Sequence, residues 1–196
     1  DLIMTPTRHQ QQSHGGATLL ELALTWIEAG YEVSMATVVS TWGSSPCPTG
    51  SHLLIRDDNL FEGSVSGGCI EGAVVTEALA IIRNDTCKVL DFGVSDEDAW
   101  EAGLACGGQV RVFVQKVSSD LRDVLVELQA TRRSKQAVAL LLDLETGAAA
   151  LQKKGDGVSE ELNTFFSQDQ SGVSVSEENG QIFVRVFNPP LRLFIV

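Results

Sequence analysis

Helical and strand-like apolar patterns alternate along most of this chain, and that alternation limits the folds that it can adopt. Residues 17–30 place Leu20, Leu24 and Ile27 on one face of a helix. The next segment, residues 32–43, is rich in β-branched side chains and ends in glycine, which is typical of a buried strand. Alternating elements of this kind predict an α/β or α+β fold in which helices cover a mixed β-sheet.

The same criteria place the remaining elements. Further strands are predicted at 51–57, 59–66, 87–93, 110–117 and 136–143. Another strand follows a turn at 146–147, and two more strands end by residue 186. Further helices are predicted at 69–84, 94–103, 119–133 and 159–167. We therefore expect an N-terminal extension over residues 1–16, an α/β domain over 17–187, and a linker with an apolar strand over 188–196.

The charge of the chain restricts its partners. The 196 residues include 14 basic and 26 acidic side chains, which gives a net charge of −12. Because a nucleic-acid backbone needs clustered Lys and Arg, this charge argues against nucleic acid as a partner. No apolar run approaches the roughly 20 residues that cross a bilayer, and the N-terminus lacks the apolar core of a secretory signal. We therefore expect a cytoplasmic protein, not bound to a membrane, whose four cysteines are free thiols or ligands.

The segment SVSGGCIEG, residues 64–72, places a thiol where a strand gives way to a helix. In the first turn of a helix, Cys69 would feel the peptide dipoles, which lower a thiol pKa and favour a nucleophile or metal ligand. Gly67 and Gly68 would let another molecule approach closely, and the N–H groups there could hold an anion. Alternatively, Gly68 is the N-cap, Glu71 is its N3 carboxylate, and Cys69 is a small buried residue.

Two other loops carry similar residues. The segment ACGG, residues 105–108, offers a second glycine-flanked thiol, Cys106, or is only a turn before the next strand. In the loop WGSSPCPTG, residues 42–50, the hydroxyls of Ser44 and Ser45 could donate to a ligand or satisfy the loop's own backbone.

The remaining candidate residues favour structural roles. Cys47 lies between two prolines and is interpreted as a surface thiol without a role, and Cys87, at a strand start, as a core residue. His52 lies in an apolar strand and is expected to be structural instead of a ligand. The spacing of Cys69 and Cys106 gives little support to a structural zinc site, because it is not that of paired CxxC motifs.

Three segments together, ATVVSTWGSSPCPTGSHLLI (36–55), GSVSGGCIEGAV (63–74) and GLACGGQVRVFVQ (103–115), resemble the xanthine dehydrogenase accessory factor family, XdhC/CoxI. The resemblance implies a non-catalytic cytoplasmic chaperone that binds the molybdenum cofactor, molybdopterin. Such a protein acts with a cysteine desulfurase that supplies the cofactor's terminal sulfur, and it inserts the cofactor into xanthine dehydrogenase or a related molybdenum hydroxylase. The resemblance also implies that residues 188–196 begin a Rossmann-like domain that continues beyond this chain.

By the same resemblance, the cofactor would lie against the three glycine-bearing loops. The implied binding residues are Ser44, Ser45, Ser66, Gly67, Gly68, Cys69, Glu71, Cys106, Gly107 and Gly108, with Cys69 and Cys106 as the thiols that meet the metal. Two alternatives stay open: a sulfur-transfer or redox enzyme in which Cys69 carries a persulfide that Cys106 resolves, and a structural domain with buried thiols. Whether the protein forms a homodimer also stays open.

Overall fold

The computed structural model describes residues 18–93, 108–155, 157–176 and 180–189. Several sequence-based expectations fall outside these ranges. They are the N-terminal extension, the helix at 94–103, the thiol Cys106 with its neighbour Gly107, and the apolar strand that ends the chain.

The described residues form four helices and nine strands. The helices are α1 (Leu19–Glu28), α2 (Glu71–Asn84), α3 (Ser119–Arg133) and α4 (Glu160–Gln168). The strands are β1 (Val33–Trp42), β2 (His52–Arg56), β3 (Phe61–Gly63), β4 (Cys87–Phe92), β5 (Gln109–Lys116), β6 (Val138–Asp143), β7 (Ala149–Lys153), β8 (Gly172–Ser176) and β9 (Gly180–Phe187). None of the described helices has the length and apolar character needed to span a membrane.

The strands form two sheets in which every neighbouring pair is antiparallel. One sheet has five strands in the order β3-β2-β1-β5-β4, and the other has four in the order β7-β6-β9-β8. The α/β or α+β class is thus confirmed, but the strands do not share one mixed sheet. Helix α3 follows the interior strand β5 and carries the chain into a second sheet, whose strands pair among themselves.

Three apolar clusters order these elements into layers. The largest lies between the sheets, where Met35 of β1 and Phe183 of β9 pack with α1 and α3. A second cluster holds α2 against the other face of the five-stranded sheet, through residues such as Val38. A third packs Phe166 of α4 on the outer face of the four-stranded sheet. Strand β1 is therefore covered on both faces, which explains why its residues from Val33 to Val39 are all buried.

The start of α1 is fixed by a capping box. The Glu21 N–H donates to the Thr18 hydroxyl at 3.4 Å, and the Glu21 carboxylate accepts from the Thr18 N–H at 2.8 Å. Both groups would otherwise lack a partner at a helix N-terminus. This arrangement holds the amphipathic helix against the core that the two sheets share, with Leu20, Ala23 and Trp26 buried.

Candidate functional site

Two of the glycine-bearing loops and Gly108, the last residue of the third, meet at one end of the five-stranded sheet. Residues 43–50, which we call the PCP loop, lie between Gly67 and Gly108. A Cβ built on Gly67 would lie 3.3 Å from the ring carbons Cβ and Cγ of Pro46, so Gly67 packs closely on the PCP loop. On the other side, a Cβ on Gly108 would clash with the carbonyl oxygen of Ser44. The absence of side chains at Gly67 and Gly108 is what lets the loops meet.

The loop of residues 64–70, called here the SGGC loop, folds around the carboxylate of Glu71. One carboxylate oxygen, Oε1, accepts from the N–H of Val65 at 3.1 Å and of Ser66 at 2.9 Å. The other, Oε2, accepts from the N–H of Gly68 at 2.9 Å. The carboxylate also accepts from the Ser64 hydroxyl at 2.5 Å and the Ser66 hydroxyl at 2.6 Å. The chain's own anion thus occupies the N–H groups that were expected to hold a phosphate.

Two serine hydroxyls accept from three further N–H groups of the SGGC loop. Ser66 Oγ accepts from the N–H groups of Cys69 and Ile70, both at 3.0 Å. Ser64 Oγ accepts from the N–H of Gly67 at 2.8 Å. Ser66 is only 1% exposed, and its hydroxyl is fully engaged inside the loop. Its expected contact with a cofactor has no support from this geometry and stays a prediction.

These contacts also explain the charge state of Glu71. Burial alone would raise the pKa of this carboxyl, but hydrogen bonds from Ser64, Ser66 and Val65 stabilise the anion and lower the pKa to about 2. Glu71 is therefore a carboxylate at neutral pH, although its side chain is buried. Its negative charge faces the loop and not a ligand, so Glu71 has a structural role here.

The sequence pattern predicted Cys69 in the first turn of a helix, but in the structure Cys69 lies before the helix. Helix α2 begins at Glu71, and its N-cap is Ile70. The helical spacing of apolar residues continues back to Cys69. However, Gly68 has φ +113°, and the N–H of Cys69 donates to the Ser66 hydroxyl. The chain therefore turns before the helix starts. The expectation that Gly68 is the N-cap is wrong as well, although the Glu71 carboxylate does accept from its N–H.

The outer tip of the SGGC loop remains accessible. Gly67, Gly68 and Cys69 are exposed, while Ser66 and Ile70 on either side are buried. A Cβ on Gly68 would meet no heavy atom of the described residues within 4 Å, so this part of the chain leaves open space beside the tip. The result is a free, exposed thiol on a loop that buried hydrogen bonds hold rigidly. The alternative in which Cys69 is a buried core residue is therefore wrong.

Sequence reasoning missed a second thiol at this site. Cys47, in the PCP loop, is half-buried and donates through its thiol to Ser64 Oγ at 3.6 Å. Ser64 in turn donates to Glu71, so the PCP loop joins the hydrogen-bond network of the SGGC loop. The prolines on either side of Cys47 are the only unusual feature of its local sequence. They do not predict its contact with Ser64, which lies 17 positions later in the chain.

The other expected binding residues divide into three groups. The Ser45 hydroxyl donates to the carbonyl oxygen of Cys47 at 2.9 Å. It therefore satisfies the backbone of its own loop, which was the alternative to binding a ligand. Ser44 is exposed, and its hydroxyl has no partner among the described residues. Gly108 packs on the backbone at Ser44 and, through its own carbonyl oxygen, on Gly93. Cys106 and Gly107 lie outside the described ranges, so their expected roles stay predictions.

Two residues expected to have structural roles lie in or against the interior. His52 is buried, with Nδ1 at 3.1 Å from the hydroxyl of Thr37. Cys87 packs against the core between the sheets, where burial and the nearby Asp143 carboxylate raise its pKa. Across the part of the chain that the structure describes, no three His, Cys, Asp or Glu side chains are grouped closely enough to hold a metal ion.

Comparisons with known proteins place this site in context. Over 103 residues, 52% of this chain, the sequence is 29% identical to the molybdenum cofactor insertion chaperone PaoD of Escherichia coli, and the match covers 32% of that protein. Over 122 residues it is 25% identical to a probable xanthine dehydrogenase subunit of Bacillus subtilis, covering 61% of this chain and 37% of that protein. The matched segments thus span about a third of these relatives.

The fold also has a counterpart among solved structures. A crystal structure described as a xanthine dehydrogenase from Bacillus halodurans superposes with a TM-score of 0.62 at 20% identity, covering 88% of this chain and 53% of that chain. This similarity supports the fold alone. Residues 26–93, which contain the PCP loop and the SGGC loop, match the XdhC and CoxI family. The resemblance of this chain to the XdhC and CoxI family is therefore confirmed for that segment.

Proposed function

We propose that this domain binds the molybdenum cofactor at the tip of the SGGC loop and delivers it to xanthine dehydrogenase or a related molybdenum hydroxylase. The observation that carries the proposal is the exposed Cys69 thiol on a loop fixed by five hydrogen bonds to Glu71. The name of the E. coli relative, a molybdenum cofactor insertion chaperone, supports the same role. A delivery protein needs a site that is preformed yet open, and an exposed tip on a rigid base has both properties.

The geometry favours the metal end of the cofactor over its phosphate end. Molybdenum binds sulfur ligands readily, and Cys69 offers a thiol beside the open space at Gly68. A phosphate would need unpaired N–H groups, but those of Val65, Ser66 and Gly68 already donate to Glu71. We therefore assign the metal-facing role to Cys69. Cys106 remains the proposed second thiol of the site.

The direct test measures cofactor retention. The protein and its Cys69→Ser variant are purified without oxygen from cells that make the cofactor, and molybdenum and pterin are quantified per chain. We expect the substitution to reduce both at least tenfold, because it removes the thiol while keeping the loop's hydrogen bonds. Cys87→Ser is the matched control, since Cys87 lies in the core and away from the SGGC loop. Equal retention in both variants would refute the role of Cys69.

A second function, sulfur transfer, is favoured by the position of Cys47. A cysteine desulfurase would transfer sulfur from its own persulfide to the Cys69 thiolate; a new S–S bond forms on Cys69, and the desulfurase thiolate leaves. Cys47, which hydrogen-bonds to Ser64 of the same loop, would then attack the outer sulfur of that persulfide; the S–S bond on Cys69 breaks, a new one forms on Cys47, and the Cys69 thiolate leaves. Mass spectrometry after incubation with desulfurase and cysteine should show one added sulfur atom on the peptide that carries Cys69. A Cys69 peptide without added sulfur would refute sulfur transfer and leave cofactor delivery as the proposed function.

A further inference from the structure

Polar residues interrupt the apolar layer between the two sheets. Thr37 of β1 and His52 of β2 are paired in register, and strand alternation places them on the same face as Leu54, which belongs to the shared core. On the opposing sheet, Arg185 of β9 shares its face with the core residue Phe183. An imidazole and a guanidinium thus enter the same layer from opposite sides.

The imidazole of His52 has one nitrogen without a partner. The side chain is 8% exposed, and its Nδ1 lies 3.1 Å from Thr37 Oγ1. Its Nε2 is buried and makes no hydrogen bond to the described protein. Burial and the charge of Arg185 lower the pKa of His52 to about 3, so the ring is neutral. We assign Thr37 as the donor to Nδ1, which places the ring proton on Nε2 as a buried donor without an acceptor among the described residues.

The guanidinium of Arg185 also has one buried nitrogen that lacks a hydrogen-bond partner among the described residues. Its Nη1 donates to Ser171 Oγ at 3.4 Å, and its Cζ lies 5.2 Å from the centre of the Phe187 ring. Its Nε is buried and has no partner in the described part of the chain. The guanidinium lies directly against Gly50, where any larger residue would clash with it. Arg185 is therefore held in place while one of its N–H groups lacks an acceptor.

The charge of Arg185 is also uncompensated. Among the described residues it forms no ion pair, and the nearby Arg132 adds a second positive charge. Asp169 attracts it from a distance, but that carboxylate accepts a hydrogen bond from the Asn188 side chain at 2.9 Å. A water molecule would satisfy the free N–H groups but would leave the half-buried charge of Arg185 without a counterion.

We propose that a small monovalent anion of the halide class binds between His52 and Arg185, accepting from His52 Nε2 and Arg185 Nε. Such an anion would neutralise the guanidinium and link the two sheets beneath the PCP loop, which ends at Gly50. The site is separate from Cys69 and does not depend on the proposed cofactor role.

The test compares sodium chloride with sodium gluconate at constant ionic strength, using the whole chain. Nitrogen-15 NMR of the His52 ring should show the Nε2–H tautomer, with a resonance that shifts saturably with chloride and not with gluconate. Chloride should also raise the melting temperature of the wild type. Arg185→Gln should abolish the chloride-dependent shift, whereas Arg133→Gln, at an exposed position on α3, should keep it.

Two results would overturn the proposal, and both come from the wild-type protein, so neither requires the variant to fold. One is the Nδ1–H tautomer, because Nε2 would then be an acceptor that Arg185 itself could satisfy. The other is a His52 resonance that responds equally to both salts, which would indicate water alone between the two side chains.

Discussion

The carboxylate of Glu71 accepts a hydrogen bond from the N–H of Gly68 at 2.9 Å, so the first residue of α2 folds back to hold the loop that precedes it. This contact gives the site its character. A glycine-rich loop before a helix usually presents free N–H groups to an anion. Here a buried carboxylate takes them, and what remains for a ligand is the Cys69 thiol beside an open glycine.

Replacing Glu71 with Gln should destabilise the domain. The amide would offer one oxygen in place of two and would bring an NH₂ group against the N–H groups of the loop. We expect a loss of about 2–4 kcal/mol in the free energy of unfolding, measured in urea. The control is Glu77→Gln on the same helix, whose exposed ion pair with Lys88 should contribute less than about 1 kcal/mol. Equal losses in the two variants would contradict the central role of Glu71.

Stability should fall in acid in two steps. The pKa of His52 is lowered from 6.5 to about 3, so the unfolded chain takes up a proton first, and stability decreases as the pH falls from 6.5 towards 3. The pKa of Glu71 is lowered from 4.5 to about 2, so its contribution is complete above pH 4.5 and is lost towards pH 2. Free energies of unfolding measured between pH 7 and pH 4 should therefore decrease steadily.

The histidine step can be isolated by substitution. His52→Asn keeps a polar side chain near Thr37 but does not titrate, so its stability should be nearly independent of pH between about 6.5 and 5. The variant is less stable at pH 7 because the smaller side chain leaves a gap in the core. A slope as steep as that of the wild type over this range would assign the acid sensitivity to another group.

Gly108 should tolerate no side chain. In Gly108→Ala the new Cβ would meet the Ser44 carbonyl oxygen, and because both partners are backbone, neither can easily move away. We expect a loss of about 2–3 kcal/mol in the free energy of unfolding. Gly72→Ala, where the Cβ would meet nothing within 4 Å, should instead be neutral or stabilise by up to about 1 kcal/mol. Thermal unfolding of both variants decides the matter, and a harmless Gly108→Ala would refute the close approach of the loops.

The three described thiols should react at different rates. Cys69 is exposed and should be alkylated first by iodoacetamide, and the half-buried Cys47 should follow. Cys87 should be the slowest, because burial and Asp143 raise its pKa and less thiolate is present. Peptide mass mapping after short exposures gives the order. If Cys87 were modified before Cys69, the SGGC loop would not have the exposed tip described above.

Local patterns in the sequence predicted most of the described elements and the resemblance to the XdhC and CoxI family. Helix and strand periodicities are local, so α3 was predicted at its observed bounds, and the motif that contains Cys69 was recognised from its neighbours in the chain. The tertiary structure decided where those motifs meet and which groups remain free. Three contacts depend on strand register and on loop packing between distant residues, which periodicity does not encode. They are those of Pro46 with Gly67, Ser44 with Gly108, and Cys47 with Ser64. The role of Glu71 as the buried anion of its own loop has a more local cause. The carboxylate accepts from the N–H groups of Val65, Ser66 and Gly68, which only the folded conformation of the loop, with positive φ at Gly68, turns towards it.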